Sequence, residues 1–144
     1  MQTISAPDLA HRLRPLVARL GRRLRQEAGG ELSPSQSAAL TTISCHGPLT
    51  PSELASRERI QRPTATRVLA RLEEAGLLER AEDPSDRRSS LVSATDAGRA
   101  LLAAQRERKD AFLARRLDRL DPSELAVLER AATILERVLE EAAE

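Results

Sequence analysis

The sequence predicts a mainly helical chain that is interrupted by one small β-hairpin. Apolar residues recur at steps of three and four along most of the 144 residues, which is the spacing of amphipathic helices. Capping boxes and pairs of glycine or proline divide this pattern into separate helices. One stretch, residues 78 to 92, instead places turn-forming residues between two segments that can pair as strands.

The first two helices have clear start and stop residues. The first is predicted over residues 8 to 28 and ends at Gly29 and Gly30. The second opens with a capping box at residues 33 to 36 (Ser-Pro-Ser-Gln) and stops at Gly47 and Pro48. The apolar face of the first helix consists of Leu9, Leu13, Leu16, Val17, Leu20 and Leu24.

The next two helices are short and follow each other closely. A capping box at residues 50 to 53 (Thr-Pro-Ser-Glu) starts the third helix. Pro63 starts the fourth helix and Gly76 ends it. The residues of the fourth helix predicted to face the core are Ala65, Val68, Leu69 and Leu72.

Residues 83 to 88 (Asp-Pro-Ser-Asp-Arg-Arg) are predicted to form the tip of the hairpin. The proline, serine and aspartate at its centre favour a turn, and residues 78 to 82 and 90 to 92 can pair as two short strands. A hairpin tip projects from the rest of the fold, so Arg87 and Arg88 would extend as far as possible from the core. This position suits a wing that contacts DNA.

Two helices follow the hairpin. Thr95 caps the fifth, and a capping box at residues 121 to 124 (Asp-Pro-Ser-Glu) starts the sixth. The order of elements is that of a winged helix-turn-helix framed by terminal helices. We predict one domain over residues 1–144, with the winged motif at 33–100. The apolar face of the last helix consists of Leu125, Leu128, Ala132, Leu135, Val138 and Leu139.

Composition points to duplex DNA. The formal net charge is only +1, so a DNA-binding face must be local, and five arginines between residues 57 and 71 supply one. Phe112 is the only aromatic residue, which excludes base-stacking platforms for single strands or RNA. The sequence shows no membrane span and no signal peptide, and its single cysteine, Cys45, can form no internal disulfide. We therefore expect a cytoplasmic protein without a membrane partner.

Four motifs give the chain a resemblance to the MarR family of bacterial transcription regulators. They are Glu-Leu-Ala at residues 53 to 55, Pro-Thr-Ala-Thr-Arg at 63 to 67, Leu-Glu-Glu-Ala-Gly-Leu-Leu-Glu-Arg at 72 to 80, and the wing itself. The wing is the most specific, because Asp-Pro-x-Asp-Arg-Arg is followed at residues 95 to 98 by Thr-x-x-Gly.

The resemblance implies an obligate homodimer in which the first, fifth and sixth helices interlock. Residues 1–30 and 101–144 are then dimerisation helices, and two winged motifs read a pseudo-palindromic operator in double-stranded DNA. The sequence supports a partner independently of the resemblance, because the apolar faces of the terminal helices are too large for so small a motif to bury alone.

The second helix of such a motif lies in the major groove, where residues near its N-terminus reach base edges. Our candidates for this recognition helix are Thr64, Thr66, Arg67 and Arg71. Arg67 is the strongest candidate for direct readout, since arginine can bind guanine with two hydrogen bonds. The alternative is that Arg67 is solvated or contacts a phosphate.

By resemblance, Asp86 and Arg88 form the Asp-x-Arg pair of the wing. Asp86 would orient an arginine, Arg88 would enter the minor groove, and Arg87 would lie beside it. The alternative is that both arginines only solubilise the hairpin. Phosphates are expected to be held by helix-start amides and by Thr50, Ser52, Arg59, Gln61 and Arg62.

The turn between the third and fourth helices departs from the family pattern. Glu58 and Arg59 stand where the family usually has an apolar residue and then a small residue such as glycine. Arginine tolerates a left-handed backbone poorly. We therefore expect either another turn conformation or a third helix that extends toward Ile60.

The sequence offers no catalytic, metal or cofactor chemistry. It has no glycine-rich phosphate loop, no paired nucleophile and base, and no carboxylate pair in an apolar run, so we expect no enzymatic activity. His11 and His46 are too few and too far apart for a metal site. Cys45 is expected to be buried or inert, with a redox-sensing thiol as the alternative.

Together these features predict a homodimeric, sequence-specific transcriptional regulator, a repressor that a small effector releases from DNA. By analogy, a lipophilic or aromatic effector would bind between the winged motif and the dimer helices, in a pocket of aliphatic residues. The alternative is a chromosome-organising DNA-binding protein with broad sequence tolerance and no effector. A third hypothesis is a protein-interaction module that has lost DNA binding, and the intact wing argues against it.

Overall fold

The computed structural model describes residues 3–141. These form six helices and a two-stranded antiparallel sheet: α1 Ala6–Glu27, α2 Pro34–His46, α3 Pro51–Glu58, α4 Arg62–Glu74, β1 Leu78–Asp83, β2 Asp86–Ala94, α5 Asp96–Leu117 and α6 Pro122–Glu141. The predicted fold class, mainly helical with one hairpin, is confirmed. The chain divides into two compact units, one up to Lys109 and one from Asp110 onward.

Hydrogen bonds at the helix starts explain why the sequence divides where it does. At α2, the Gln36 N–H donates to Ser33 Oγ over 3.2 Å, and the Ser33 N–H donates to Gln36 Oε1 over 2.9 Å. At α6, Asp121 and Glu124 form the same reciprocal pair, at 2.9 and 3.0 Å. These bonds satisfy amides that have no partner within the helix, as predicted for capping boxes.

The start of α1 lies two residues before its predicted position. Ser5 is the N-cap and accepts a hydrogen bond of 3.2 Å from the Asp8 N–H, so the helix includes Ala6 and Pro7. The prediction missed this cap because it took the start from the apolar pattern alone. Gly29 follows the helix with a φ of 100°, in agreement with its predicted role as a stop.

The core of the winged motif lies among α2, α3, α4 and the base of the hairpin. The predicted core face of α4 is confirmed, since Ala65, Leu69 and Leu72 are buried and Val68 packs against the core. The largest fully buried side chains are Leu40, Ile43, Leu54, Leu69, Leu72 and Val92. Burying each such side chain stabilises the fold by about 1.5–3 kcal/mol, so this motif has a core of its own.

A short bridge ties the connection between α2 and α3 to the sheet. The Leu49 N–H donates to the Val92 carbonyl over 3.0 Å, and the Val92 N–H donates back over 2.7 Å. Both side chains are buried. The sequence does not predict this bridge because one pairing residue shows no strand-like alternation.

Thr95 and Gly98 fix the start of α5 against the connection between α4 and β1. Thr95 accepts a hydrogen bond of 3.1 Å from the Gly98 N–H and donates one of 2.7 Å to the Gly76 carbonyl. A Cβ on Gly98 would clash with the carbonyl oxygen of Leu77. The glycine of the Thr-x-x-Gly motif is therefore required by the close approach of two backbones.

The hairpin is longer than predicted and has an irregular tip. Its register pairs Leu78 with Ala94 and Glu82 with Ser90, so the strands extend beyond the predicted segments. The next pair is Asp83 with Asp86, which leaves residues 87 to 89 without a partner across the ladder. Irregularities of this kind re-aim side chains. Here the irregularity contains both wing arginines.

The turn between α3 and α4 corrects the sequence prediction. α3 ends at Glu58, and Arg59 adopts the left-handed conformation, with φ 52° and ψ 45°. The Arg59 N–H donates to the Ser56 carbonyl over 3.3 Å, and the Ile60 N–H donates to the Ala55 carbonyl over 3.0 Å. The expectation that arginine would avoid this conformation was wrong, because these bonds close the helix end and offset a local cost of about 1–2 kcal/mol.

The carboxylate of Glu58 has a specific partner. It accepts a hydrogen bond from the Thr42 hydroxyl of α2, at a part-buried position. A polar contact therefore joins the end of α3 to α2, where the family pattern has an apolar residue.

Several apolar side chains of α1 and α6 remain exposed. Of the described α1 side chains, none is buried. On α6, Val127 is 67% exposed and Leu139 is 73% exposed. The other large exposed apolar residues of these helices are Leu9, Leu16, Val17 and Leu20 on α1 and Leu125, Leu128, Ile134, Leu135 and Val138 on α6.

Cys45 is exposed near the end of α2, which corrects the expectation of a buried thiol. Ala39, Leu40 and Ile43 form the buried side of this helix. At 3.6 residues per turn, Cys45 lies about 200° around the helix from Ile43 and so on the opposite side.

Within residues 3–141, no helix is both long enough and apolar enough to cross a bilayer.

Candidate nucleic-acid interface

The outward face of α4 carries most of the residues predicted to contact bases. Thr66, Arg67 and Arg71 are exposed. Thr64 is half-buried and lines a groove with Glu58 and Ile60, so less of its side chain is accessible. This division follows from the helical period, since the core positions of α4 lie on its opposite side.

The hydroxyl of Thr66 already has a partner within the helix. Its Oγ1 donates to the carbonyl of Arg62 over 3.0 Å. A hydroxyl has one hydrogen and two acceptor lone pairs. While this bond is made, Thr66 can accept a hydrogen bond from outside the helix and cannot donate one.

Asp86 organises the wing residues that follow it. Its Oδ1 accepts a hydrogen bond of 3.0 Å from the Arg88 N–H, and the Arg88 Nε lies 3.9 Å from the same oxygen. The side chain of Arg88 is 97% exposed, and Arg87 is exposed beside it. The structure thus brings the three predicted wing residues together at the tip.

A second aspartate, which was not among the predicted site residues, closes the other side of the turn. The Asp83 Oδ1 accepts hydrogen bonds from the Ser85 N–H at 3.0 Å and the Ser85 hydroxyl at 2.8 Å. These bonds, above all the one from the backbone amide, hold the pKa of Asp83 below its usual value. The sequence did contain a signal, because an aspartate two residues before a serine favours this type of turn.

Arg80 joins the recognition helix to the hairpin. Its Nε donates to Glu73 Oε2 of α4 over 2.6 Å, and its Nη1 donates to Ser90 Oγ of β2 over 3.3 Å. Sequence reasoning missed this contact. Glu73 and Arg80 meet only because the chain reverses at Gly76, whose φ is 75°.

The residues predicted to hold phosphates surround the two helices of the motif. Ser52, Arg59, Gln61 and Arg62 are exposed, and Thr50 is half-buried. Thr50 also caps α3, because its Oγ1 accepts a hydrogen bond of 3.1 Å from a backbone N–H of the first turn. Gln61 is the N-cap of α4, and within the described residues its side chain makes no capping bond.

Comparison with known proteins identifies the family. A sequence model described as the MarR family matches residues 32–90. The chain is also 40% identical over 134 residues to Mb0904, an uncharacterized HTH-type transcriptional regulator of Mycobacterium bovis, with 92% of this chain and 94% of that protein covered. The chain belongs to the MarR family. It is a transcriptional regulator, and the resemblance found in the sequence is confirmed.

Solved structures share the fold of this MarR protein. A Pseudomonas aeruginosa protein solved as a candidate transcriptional regulator superposes with a TM-score of 0.84 at 36% identity, over 96% of this chain and 98% of that one. FabT of Streptococcus pneumoniae, solved in complex with DNA, gives a TM-score of 0.69 at 22% identity, over 96% and 99%. The second similarity shows a common fold.

The MarR chain also contains a basic groove within its first unit, lined by residues of α1, α2 and α5. The groove has a volume of about 430 Å³, and Arg22, Arg25 and Lys109 are its cationic lining residues. An adjoining groove of about 560 Å³ shares Arg25, Pro34, Ser37 and Lys109 with it. No ion pair of residues 3–141 includes Arg25 or Lys109, and the lining of the first groove contains no carboxylate, whereas Glu58 lines the second.

The described part of the chain shows no arrangement suited to a metal ion. No three side chains of histidine, cysteine, aspartate or glutamate within residues 3–141 are grouped as ligands. The relatives are transcriptional regulators, a class of protein that is not enzymatic.

Proposed function

We propose that this MarR protein is a homodimeric, cytoplasmic repressor without enzymatic activity, which binds a pseudo-palindromic operator in double-stranded DNA and leaves it when a small effector binds. One observation carries the proposal. The motif presents an outward helix face with Thr66, Arg67 and Arg71 and, on the same unit, a wing whose Arg88 is almost fully exposed. The helix suits the major groove and the wing arginine suits the minor groove.

The recognition helix limits which bases it can read. Arg67 can bind O6 and N7 of guanine with two hydrogen bonds. Thr66 is restricted to accepting, because its hydrogen is directed to the Arg62 carbonyl. Its hydroxyl oxygen therefore suits the amino group of adenine or cytosine. Its methyl group can contact the methyl group of thymine. Thr64 and Arg71 would extend the contact at either end, and Thr64 contributes less surface because it is half-buried.

The wing and the helix starts would contribute affinity rather than sequence preference. A narrow minor groove concentrates negative potential, which favours an inserted arginine such as Arg88. Asp86 supports this by holding the backbone of Arg88, and Arg87 adds a charge beside it. The phosphate contacts are assigned to Thr50, Ser52, Arg59, Gln61 and Arg62.

The exposed faces of α1 and α6 support a second copy of this chain as partner. Large exposed apolar faces mark interaction surfaces, and most such assemblies are symmetric homodimers. The charges of the two helices are complementary as well. α1 carries six arginines against two carboxylates, whereas α6 carries five glutamates against two arginines.

The basic groove supports an effector that combines an apolar body with a negative charge. Lys109 and Arg25 would attract a carboxylate or similar group, and Ala28 and Leu32 of the same lining would contact apolar carbons. Binding there releases DNA if the bound state holds the two recognition helices at a spacing that does not fit the operator.

Footprinting on the DNA upstream of the protein's own gene tests the proposal. We expect two protected half-sites whose centres lie about one helical turn apart. We also expect affinity to fall steeply with salt, because phosphate contacts release counterions. Dispersed binding to AT-rich DNA without a defined site would instead favour a chromosome-organising protein, and a lack of binding at low salt would refute both.

Release by an effector has its own test. A panel of straight-chain and aromatic carboxylates is titrated into the protein–operator complex, and dissociation is followed by fluorescence anisotropy. We expect Lys109→Gln to raise the concentration needed for release by about tenfold, as expected for one charge-assisted contact. Arg19→Gln, which removes an arginine of α1 outside the groove lining, is the control. An unchanged response of Lys109→Gln would refute the assignment of the groove.

A further inference from the structure

We propose that Arg80 is a positioning residue for DNA binding. It fixes the hairpin against the C-terminal end of α4, so that Arg88 and the base-facing residues of α4 can engage neighbouring grooves at the same time. The inference rests on the proposed function, since it assigns a role to a residue that supports both DNA-contacting elements.

One guanidinium reaches three elements. Arg80 belongs to β1, its Nε donates to Glu73 of α4, and its Nη1 donates to Ser90 of β2. Arginine suits this task because its planar group directs several N–H donors in fixed directions. Among the described residues, this is the one side-chain hydrogen bond that links α4 to the hairpin.

The outer hairpin depends on such a link. From Ala81 to Arg88 every side chain is exposed except that of Asp83, which is half-buried. A two-stranded hairpin by itself is at best marginally stable in water. An unattached wing would therefore sample many positions and lose that freedom on binding DNA, whereas a wing already held in place loses less.

Folding alone does not account for the arrangement. The side chains of Arg80 and Glu73 are 30% and 42% exposed, and ion pairs in such positions contribute little to the stability of the fold. The core that stabilises the motif is formed by other residues. We therefore expect removal of the Arg80 contacts to change DNA binding much more than thermal stability.

A double-mutant cycle tests this role against a direct contact with DNA. Arg80→Gln, Arg88→Ala and the double variant are compared with the wild type for operator binding at fixed salt. If Arg80 acts by positioning Arg88, Arg80→Gln weakens binding about tenfold when Arg88 is present and by less than about twofold when it is absent. Hydroxyl-radical footprints should lose minor-groove protection in Arg80→Gln while methylation protection of major-groove guanines remains.

Glu73→Ala tests the same link from the other side, with Glu74→Ala as its matched control. Each variant removes one carboxylate from the end of α4, which by itself strengthens binding to DNA. Of these two glutamates, Glu73 is the one that contacts Arg80. We expect Glu74→Ala to bind as tightly as the wild type or more tightly, and Glu73→Ala to bind less tightly than Glu74→Ala with a weaker minor-groove footprint.

Additive losses in the cycle, or equal binding by the two glutamate variants, would overturn the inference. Circular dichroism checks that each variant is folded, and if Arg80→Gln does not fold, the glutamate pair decides. These outcomes differ from failure of the proposed function, in which the wild-type protein itself binds no operator.

Discussion

The winged motif and the terminal helices use the same sequence pattern with different results. In the motif, the apolar faces of α2, α3 and α4 meet one another and the base of the hairpin, and residues such as Leu40, Leu54 and Leu69 are fully buried. In α1 and α6, leucines and valines at the same helical spacing remain exposed. An amphipathic pattern therefore predicts which face of a helix is apolar, but it does not predict what covers that face.

The largest expected effect is the loss of the proposed dimer when the exposed apolar face of α6 is changed. Leu128→Glu combined with Leu135→Glu should break the proposed dimer and abolish operator binding, because two leucines that become buried on dimerisation contribute about 3–6 kcal/mol, or at least a hundredfold in the dimer dissociation constant. Analytical ultracentrifugation measures the dissociation constant directly.

The control for this pair keeps the change of charge. Arg130→Gln with Arg137→Gln also lowers the charge of α6 by two, at exposed positions on its polar side. We expect this variant to remain dimeric. A wild-type dissociation constant in the leucine variant would show that this face is not the interface.

The next effect tests whether the winged motif is stabilised by its own close packing. Gly98→Ala should lower the free energy of unfolding by about 1–3 kcal/mol, because the added methyl group would clash with the Leu77 carbonyl and move one backbone. Urea denaturation measures this loss. Gly30→Ala is the control, since apart from its chain neighbours no atom lies within 4 Å of a Cβ built there, and an equal loss in both variants would argue against the clash.

The two DNA-contacting elements should differ in what they contribute. Arg67→Ala should cost about 1–3 kcal/mol of binding free energy on the best operator and relax the base preference at one position of each half-site. Arg88→Ala should weaken binding to all sequences by similar factors. Competition binding to operators with single base changes distinguishes the two, and equal losses that do not depend on sequence would refute the assignment.

The smallest expected effect is on stability, at the turn between α3 and α4. Arg59→Gly should raise the free energy of unfolding by about 0.5–1 kcal/mol, because glycine adopts a positive φ without steric cost. If Arg59 also contacts a phosphate, the same variant binds DNA more weakly and lowers the salt dependence by about one charge. A gain in stability without any change in binding would leave Arg59 with a conformational role only.

Local chemistry explains why much of the fold was predictable. Serine, threonine and aspartate caps specify the starts of α2, α3 and α6, because each side-chain oxygen accepts a hydrogen bond from the backbone N–H three residues further on. The wing follows for the same reason, since turn formers act within four residues. The site residues on the outward side of α4 were predictable from the helical period, which also gave the buried Ala65, Leu69 and Leu72.

The predictions were wrong where the conformation depends on residues far apart in the sequence or on the sum of several weak interactions. The left-handed Arg59 was missed because the steric cost of this conformation is visible in the residue type, whereas the two backbone bonds that offset it, to Ser56 and Ala55, have no side-chain signal. The irregular register at the wing tip depends on how the two strands align. The exposure of Cys45 was open to prediction from the helical period, since Leu40 and Ile43 mark the opposite side of α2.

The sequence by itself determined the order of the helices, the position of the hairpin and the family, because caps, turns and periodicity act over a few neighbouring residues. Only the tertiary structure decided that Leu49 pairs with Val92, that Glu58 meets Thr42, and that Arg80 joins α4 to the wing. Each of these contacts joins residues on different elements. No short-range pattern records such a contact, since it forms only when the core has fixed the elements against one another.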